Sequence, residues 1–289
     1  MPRSALLVVN RQRPEAAASA REVVELIRRH GTLLAETESH DPKIPELAAS
    51  ADLVVVLGGD GSLLGQARRI AGLGVPVLGV NFGRLGFIAE FELHALTEQA
   101  AAIFGDGPLQ TRELRFLSVS IARADGSVGF EAIALNEAVI TAGPPYRVIQ
   151  LAISIDSLPG PSFGGDGLIV STPTGSTAYN LSAGGPIVAP GVDAFTITPI
   201  APHSLSFRPI LVPGTSQIEL TLSRANADPG SEGTTLILDG QVMQPLRTGD
   251  RVLIRRAEET LRFVVNPRAD FWSALTTKLR WAEPPRMRQ

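Results

Sequence analysis

The sequence predicts an N-terminal α/β domain built on part of a doubly wound parallel sheet, followed by an all-β domain of sandwich type, with a last helix returning to the first domain. Three observations carry this. The run Leu53-Val54-Val55-Val56-Leu57 has no polar alternation, as expected of a parallel strand covered on both faces. Runs of this kind alternate with helical patterns up to residue 104. From Arg115 the chain turns into strand-length segments and turns, with almost no helical periodicity between them. The expected boundaries are 1–108 for the α/β domain, 109–265 for the β domain, and 266–289 for a C-terminal segment that packs on the first.

In order, residues 5–10 (ALLVVN) read as a first buried strand, 15–30 as a helix with Val23, Val24, Leu26 and Ile27 toward one face, and 32–36 as a weak second strand. After the short segment 44–49 comes the 53–57 strand, then a helix over 62–71 with Ser62 as its N-cap. Residues 75–80 give another strand and 93–104 a helix leading out of the domain. Asn10, Asp60 and Asn81 follow three of these strands, at the carboxyl edge where ligands of such sheets gather. Further strands are expected at 115–122, 128–135, 138–141, 147–156, 168–172, 194–200, 217–223, 234–238, 251–256 and 260–265. Asp125-Gly126 marks a hairpin between the first two, and Asp270 caps a final helix over 271–279.

Composition closes several chemistries. The 289 residues, 44% apolar, suit a globular protein. No export signal or 18-residue apolar run is read, so the expected location is the cytoplasm. The absence of cysteine removes thiol nucleophiles, disulfides and cysteine-held zinc, and His30, His40, His94 and His203 are too far apart for a local metal motif. A net charge of −3 argues against nucleic-acid or membrane adhesion. Lysine occurs only at Lys43 and Lys278, neither after a glycine-rich loop, which excludes a P-loop and a protein-kinase fold.

The stretch Gly58-Gly59-Asp60-Gly61 follows the 53–57 strand and feeds a helix N-terminus, a place where phosphate binds. Three glycines let a ligand or backbone approach, so Asp60 is expected to be presented rather than buried. The same residues match a relaxed dinucleotide fingerprint through Gly59, Gly61 and Gly65, which raises a nicotinamide or flavin oxidoreductase as a rival. A carboxylate inside that turn would repel a pyrophosphate. An acid there points instead to a divalent cation or to a base facing a hydroxyl, the needs of phosphoryl transfer. A second GGDG at 164–167 precedes its strand and is not a copy of the first.

Residues 171–182 hold seven hydroxyl side chains beside Gly167, Gly175 and Gly184, and read as a capped loop or as a nucleotide cradle in which Tyr179 stacks on a ring. Asn136-Glu137 ends a strand where an amide and an acid can hold a ribose diol or a second metal contact, unless the pair is only a turn. Arg84 and Arg147 are candidate phosphate partners against an ordinary surface role, and His203 sits in a proline-framed loop. Gly160-Pro161-Ser162-Phe163-Gly164 matches the nucleophile elbow of serine hydrolases, but proline beside the serine and a strand after it are the wrong context.

With GGDG after a strand, N-F-G-R-L-G-F at 81–87, N-E at 136–137, the run G-D-G-L-I-V-S-T-P-T-G-S-T-A-Y-N-L-S at 165–182, P-H-S-L-S-F-R-P at 202–209 and D-G-Q at 239–241, the chain closely resembles the NAD kinases over residues 5–280. Diacylglycerol and sphingosine kinases resemble it at GGDG too, but the 165–182 run is highly specific to NAD kinases. The resemblance implies transfer of the terminal phosphate of ATP, or in some members polyphosphate, to the 2′-hydroxyl of the adenosine ribose of NAD, giving NADP. It implies magnesium or another divalent cation, a cytoplasmic homodimer or homotetramer, and a site between the two domains. By motif match Asp60, which also belongs to the nucleotide-binding set, is the general base or the acid that orients the hydroxyl, and Gly61 is part of the phosphate turn. Asn136 and Glu137 hold ribose, Arg147 a phosphate or ribose edge, and Asp166 the nicotinamide end. Thr177, Ala178, Tyr179 and Ser182 line the adenine and ribose pocket, Ala201 and Gln241 close it, and Arg84, Phe87 and Thr174 join the nucleotide-binding set. No metal ligand is assigned. Arg84 stands where many members have histidine and Ile88 where an aromatic is common, so the donor side is expected to differ. Gly164 replaces a basic residue of some members, which predicts weaker discrimination between NAD and NADH. A nucleotide sensor and a lipid kinase remain the alternatives.

Overall fold

The computed structural model describes residues 1–82, 86–226 and 233–281. The chain divides into two compact units, Met1–Leu114 together with the chain from Leu261 on, and Arg115–Thr260.

The first unit runs β1 (Ser4–Val9), α1 (Pro14–His30), β2 (Thr32–Glu38), α2 (Ile44–Ala49), β3 (Leu53–Leu57), α3 (Asp60–Ile70), β4 (Val77–Asn81), β5 (Phe91–Glu92) and α4 (Leu93–Phe104). Its strands pair in parallel in the order β2-β1-β3-β4, with β5 also on β4. Every residue of β3 is buried, and alternate residues serve different layers. Leu53, Val55 and Leu57 join a core with Val23 and Ile27 of α1 and Leu96 and Phe104 of α4, while α3 lies with α2 and touches β3 and β4. Cover on both faces is why the run shows no alternation. The strand at 32–38 is longer than expected and alternates half-buried with exposed, as an edge strand paired on one side does.

α3 starts two residues earlier than expected. Gly59 is the residue before it, Asp60 is its first, and Ser62 lies inside the first turn. Ser62 Oγ instead accepts a hydrogen bond from Asn10 Nδ2 at 2.8 Å, which ties the residue after β1 to the first turn of α3.

The second unit is antiparallel. Its strands are β6 (Thr111–Ala122), whose first residues lie in the first unit, β7 (Val128–Ala134), β8 (Glu137–Thr141), β9 (Ile149–Ile155), β10 (Leu158–Gly165), β11 (Gly167–Ser171), β12 (Ala194–Ile200), β13 (Ile210–Pro213), β14 (Ile218–Arg224), β15 (Thr235–Leu238), β16 (Val242–Pro245) and β17 (Arg251–Val264), with a 3-10 turn at Gly175–Thr177 and α5 (Tyr179–Ser182) between β11 and β12. One sheet has the order β13-β12-β11-β8-β15-β16, and β10-β9-β14-β17 with β6 and β7 forms the other side. Phe163, Leu168, Val170, Ile197, Ile218 and Val252 share one core, the filling of a sandwich. β10 was not expected, because Pro159, Gly160 and Pro161 argue against a strand; it is an edge strand, where proline is tolerated. Residues 251–256 and 260–265 form one strand rather than two. The end of β17 lies in the first unit, where Phe263 pairs in parallel with Val77, and α6 (Phe271–Leu279) follows it there, capped by Asp270 accepting from the Ser273 N–H at 2.8 Å.

Candidate functional site

Asp60 begins α3, and its carboxylate is half-buried rather than held open to solvent. Two backbone amides grip it: the Phe87 N–H donates to Oδ2 at 3.0 Å and the Ala89 N–H to Oδ1 at 3.1 Å. A side chain at Gly86 would run straight into that carboxylate, so the closeness of the 86–89 segment requires glycine there. Both oxygens are therefore oriented, and each keeps lone-pair capacity for a further donor. Gly61, the next residue of α3, is exposed and faces open space. Arg84 lies outside the described residues.

In the second unit, Asn136 and Glu137 stand at the junction of β7 and β8 and are nearly buried, 6% exposed each. Asp239 holds them, a residue the sequence reading did not place in the site. Its carboxylate accepts from the amides of Leu135 at 3.0 Å, Asn136 at 2.7 Å and Glu137 at 3.2 Å. Acid-glycine at a strand end was the available signal, but it reads equally as a turn. Among the described residues two acceptor atoms in this nest have no partner, Asn136 Oδ1 and Glu137 Oε2. Burial first, and the Asp239 carboxylate second, push the Glu137 carboxyl up to about 7, against a hydrogen bond from the Tyr179 backbone.

The hydroxyl-rich loop divides by role. Ser171, Thr172 and Ser176 are buried and build the loop. Thr172 Oγ1 donates to the Leu135 carbonyl at 2.6 Å and Ser171 Oγ to that of Asn136 at 3.1 Å, which fastens the end of β11 to the Asn136-Glu137 pair. Gly175 passes so close to the Asn136 carbonyl that any side chain would collide. Asn180, fully buried, donates to the carbonyls of Ser176 and Pro186 at 3.0 Å each and accepts from the hydroxyls of Thr196 at 3.0 Å and Thr198 at 2.6 Å. Those four bonds fill its capacity and set the course of the loop. Thr174, Thr177 and Ala178 remain partly accessible, and Tyr179 and Ser182 are exposed. The capped loop and the cradle are thus two parts of one structure.

Gln241, exposed, follows Asp239 and Gly240 on the β15–β16 turn. Arg147, Asp166 and Ala201, all exposed, lie elsewhere. Ser171 pairs with Glu137 at one end of the β8–β11 ladder and Gly167 with Thr141 at the other. Asp166 continues from that second end, where its N–H donates to the Ile200 carbonyl at 3.0 Å beside Ala201 and its carbonyl accepts from Ala142 at 2.8 Å. The Arg147 carbonyl accepts from Asn226 Nδ2, which also bonds Ala142. Four strand steps, roughly 13 Å, separate the two groups. His203 is exposed, with its backbone N–H bonded to Gly164. Among the described residues no three His, Cys, Asp or Glu side chains cluster as a metal site, and no helix is long and apolar enough to cross a membrane.

Two protein-family models match the chain: the ATP-NAD kinase N-terminal domain over residues 37–107 and the ATP-NAD kinase C-terminal domain over 135–266. An NAD kinase of Desulforamulus reducens is 39% identical over 283 residues, covering 95% of this chain and 96% of its own. Among solved structures, an NAD kinase from Archaeoglobus fulgidus in complex with ATP matches with a TM-score of 0.71 at 25% identity, over 92% of this chain and 94% of that one. Yeast NADH kinase complexed with NADH matches with a TM-score of 0.83 over 100% of this chain and 90% of that one; at 24% identity it speaks for the fold.

Proposed function

The chain belongs to the ATP-NAD kinase family, and on that premise we propose how its residues share the ATP-dependent phosphorylation of NAD. In the reaction the ribose 2′-oxygen bonds to the terminal phosphorus of ATP, the bond from that phosphorus to the bridging oxygen breaks, ADP leaves, and the hydroxyl proton must go to a base. A ribose hydroxyl is a poor nucleophile, so catalysis rests on positioning and on neutralising charge, with proton transfer late.

Asp60 is the acceptor of that proton. The Phe87 and Ala89 amides fix its carboxylate, which spares the reorganisation a freely rotating acid would need. Asn136 and Glu137 hold a ribose of the bound dinucleotide. The observation that carries this is the pair of buried acceptors without partners among the described residues, Asn136 Oδ1 and Glu137 Oε2. A vicinal diol brings two donors, and supplying them relieves a cost of about 1–3 kcal/mol per unsatisfied group. Tyr179, Thr174, Thr177, Ala178 and Ser182 line the adenine and ribose pocket, Gln241 closes it, Asp166 takes the nicotinamide end, and Arg147 and Ala201 lie with Asp166. Arg84 and Gly61 serve the phosphates.

A divalent cation, magnesium by preference, fits as a companion of the triphosphate, since such an ion keeps its waters and takes one or two carboxylates besides phosphate oxygens. No group of three His, Cys, Asp or Glu side chains among the described residues would hold the ion without the nucleotide. When bound, that ion neutralises charge on the transferring phosphoryl group. The motif resemblance supports polyphosphate as an alternative donor and a cytoplasmic homodimer or homotetramer, and the net charge of −3 supports neither nucleic acid nor membrane as partner.

The test is to incubate the purified protein with ATP, magnesium and NAD and to detect NADP with an NADP-specific dehydrogenase. NADP should accumulate with turnover. No product from NAD or NADH, with ATP or polyphosphate, removes the reading.

A further inference from the structure

Helix α6 carries a side chain that the reaction as described does not use. Lys278 is one of two lysines in the chain, and it is half-buried. Its Nζ lies 4.3 Å from the centroid of the Phe87 ring and donates to the Gly86 carbonyl. Burial pushes its ammonium down from the usual lysine range, against the carboxylates of Asp60 and Glu90. An ammonium gives up water at a cost that a mere surface role would not demand.

What Lys278 touches is the start of the segment that grips Asp60. Gly86 and Phe87 lead into the Phe87 and Ala89 amides bound to the carboxylate. The far end of the segment is anchored separately. Glu90 accepts from Arg112 at 2.7 Å and from the Asn266 N–H at 2.9 Å, and Asn266 Nδ2 donates to the Glu90 carbonyl at 3.2 Å. Lys278 is therefore a tether on the near end, through one charge-assisted bond and one cation–π contact.

We infer that Lys278 is a positioning residue for phosphoryl transfer, locking Gly86 and Phe87 so that the two amides hold the Asp60 carboxylate in one orientation. This rests on Asp60 being the proton acceptor. It makes the C-terminal helix part of the catalytic apparatus rather than a structural appendage.

The test measures kcat, KM and NAD dissociation constant for Lys278→Met, Lys278→Arg, Asp60→Asn and the double variant Asp60→Asn with Lys278→Met. Lys278→Met should lower kcat about 10–100-fold, the cost of a misplaced catalytic group, with NAD affinity unchanged within about twofold. Lys278→Arg should restore most of the loss. In the Asp60→Asn background the lysine substitution should have almost no effect, because the group it positions is gone. Should Lys278→Met not fold, Lys278→Gln removes the charge and the cation–π contact while keeping a polar side chain of similar reach, and must show a kcat loss that is likewise silent with Asp60→Asn. Wild-type kcat in these variants, an equal loss in the Asp60→Asn background, or an arginine variant no better than methionine overturns the inference. Near-wild-type turnover by Asp60→Asn alone overturns instead the role of Asp60.

Discussion

Glu137 should make the protein less stable as pH rises, and Glu137→Gln should abolish that dependence. Burial and the Asp239 carboxylate push its carboxyl up to about 7, against 4.5 for the unperturbed group. Between those values the folded state keeps a proton that the unfolded chain has released, so stability falls with rising pH. The loss begins near pH 4.5, grows through the window to 7, and is complete somewhat above it. The gap is worth about 3 kcal/mol in all, of which about 2.5 kcal/mol falls between pH 5 and pH 8. Glutamine has nearly the same shape and no charge to desolvate. Denaturant unfolding of both proteins at pH 5, 6, 7 and 8 isolates the effect, because every other titrating group cancels in the difference. Relative to wild type, Glu137→Gln should gain about 2.5 kcal/mol from pH 5 to 8. A gain under about 0.5 kcal/mol would refute the reasoning, since that is the scatter of independent sites. The same carboxyl links binding to pH. Ribose hydroxyls donate to the ionised form, so NAD binding near pH 6.5 should release a proton, visible by calorimetry as heat that depends on the buffer's ionisation enthalpy.

Three further outcomes follow from the same geometry. Asp239→Asn turns an amide toward three backbone N–H donors; it should cost about 2–4 kcal/mol of unfolding free energy and move the proton release of Glu137 to lower pH, since one of its two raising causes is gone. Asn180→Leu strands two carbonyls and two threonine hydroxyls and should cost about 3 kcal/mol, read as a lowered denaturation midpoint with weakened NAD binding. Gly164, in place of a basic residue, predicts that NAD and NADH are accepted with kcat/KM within about tenfold of each other; strict rejection of NADH by steady-state kinetics counts against it.

The architecture was legible wherever one physical demand governs a stretch. The 53–57 run, with no polar alternation, fits a doubly covered strand, and Asp270 before an apolar helical pattern fits an N-cap; both are found. Prolines hid β10, because a sequence does not say which strand lies at an edge. Ser62 looked like a cap because hydroxyls favour that position, yet α3 begins at Asp60 and Ser62 is taken by Asn10. In the candidate site, the motif residues were visible but their supports were not. Asp239 reaches Leu135, Asn136 and Glu137 across more than a hundred residues, and Lys278 reaches Gly86 across 192. No local pattern encodes such contacts. The 171–182 hydroxyls illustrate the same limit, since their density announced a special loop but not which of them face inward.

The central claim is that Asp60 takes the proton while other residues hold the nucleotide, and Asp60→Asn tests it most directly. The variant keeps size and most of the shape but cannot act as the base. NAD should bind it within about threefold of the wild-type dissociation constant, measured by calorimetry, while NADP formation with ATP and magnesium falls by about 10²–10⁴-fold. Near-wild-type turnover, or loss of NAD binding in step with loss of activity, would contradict the account.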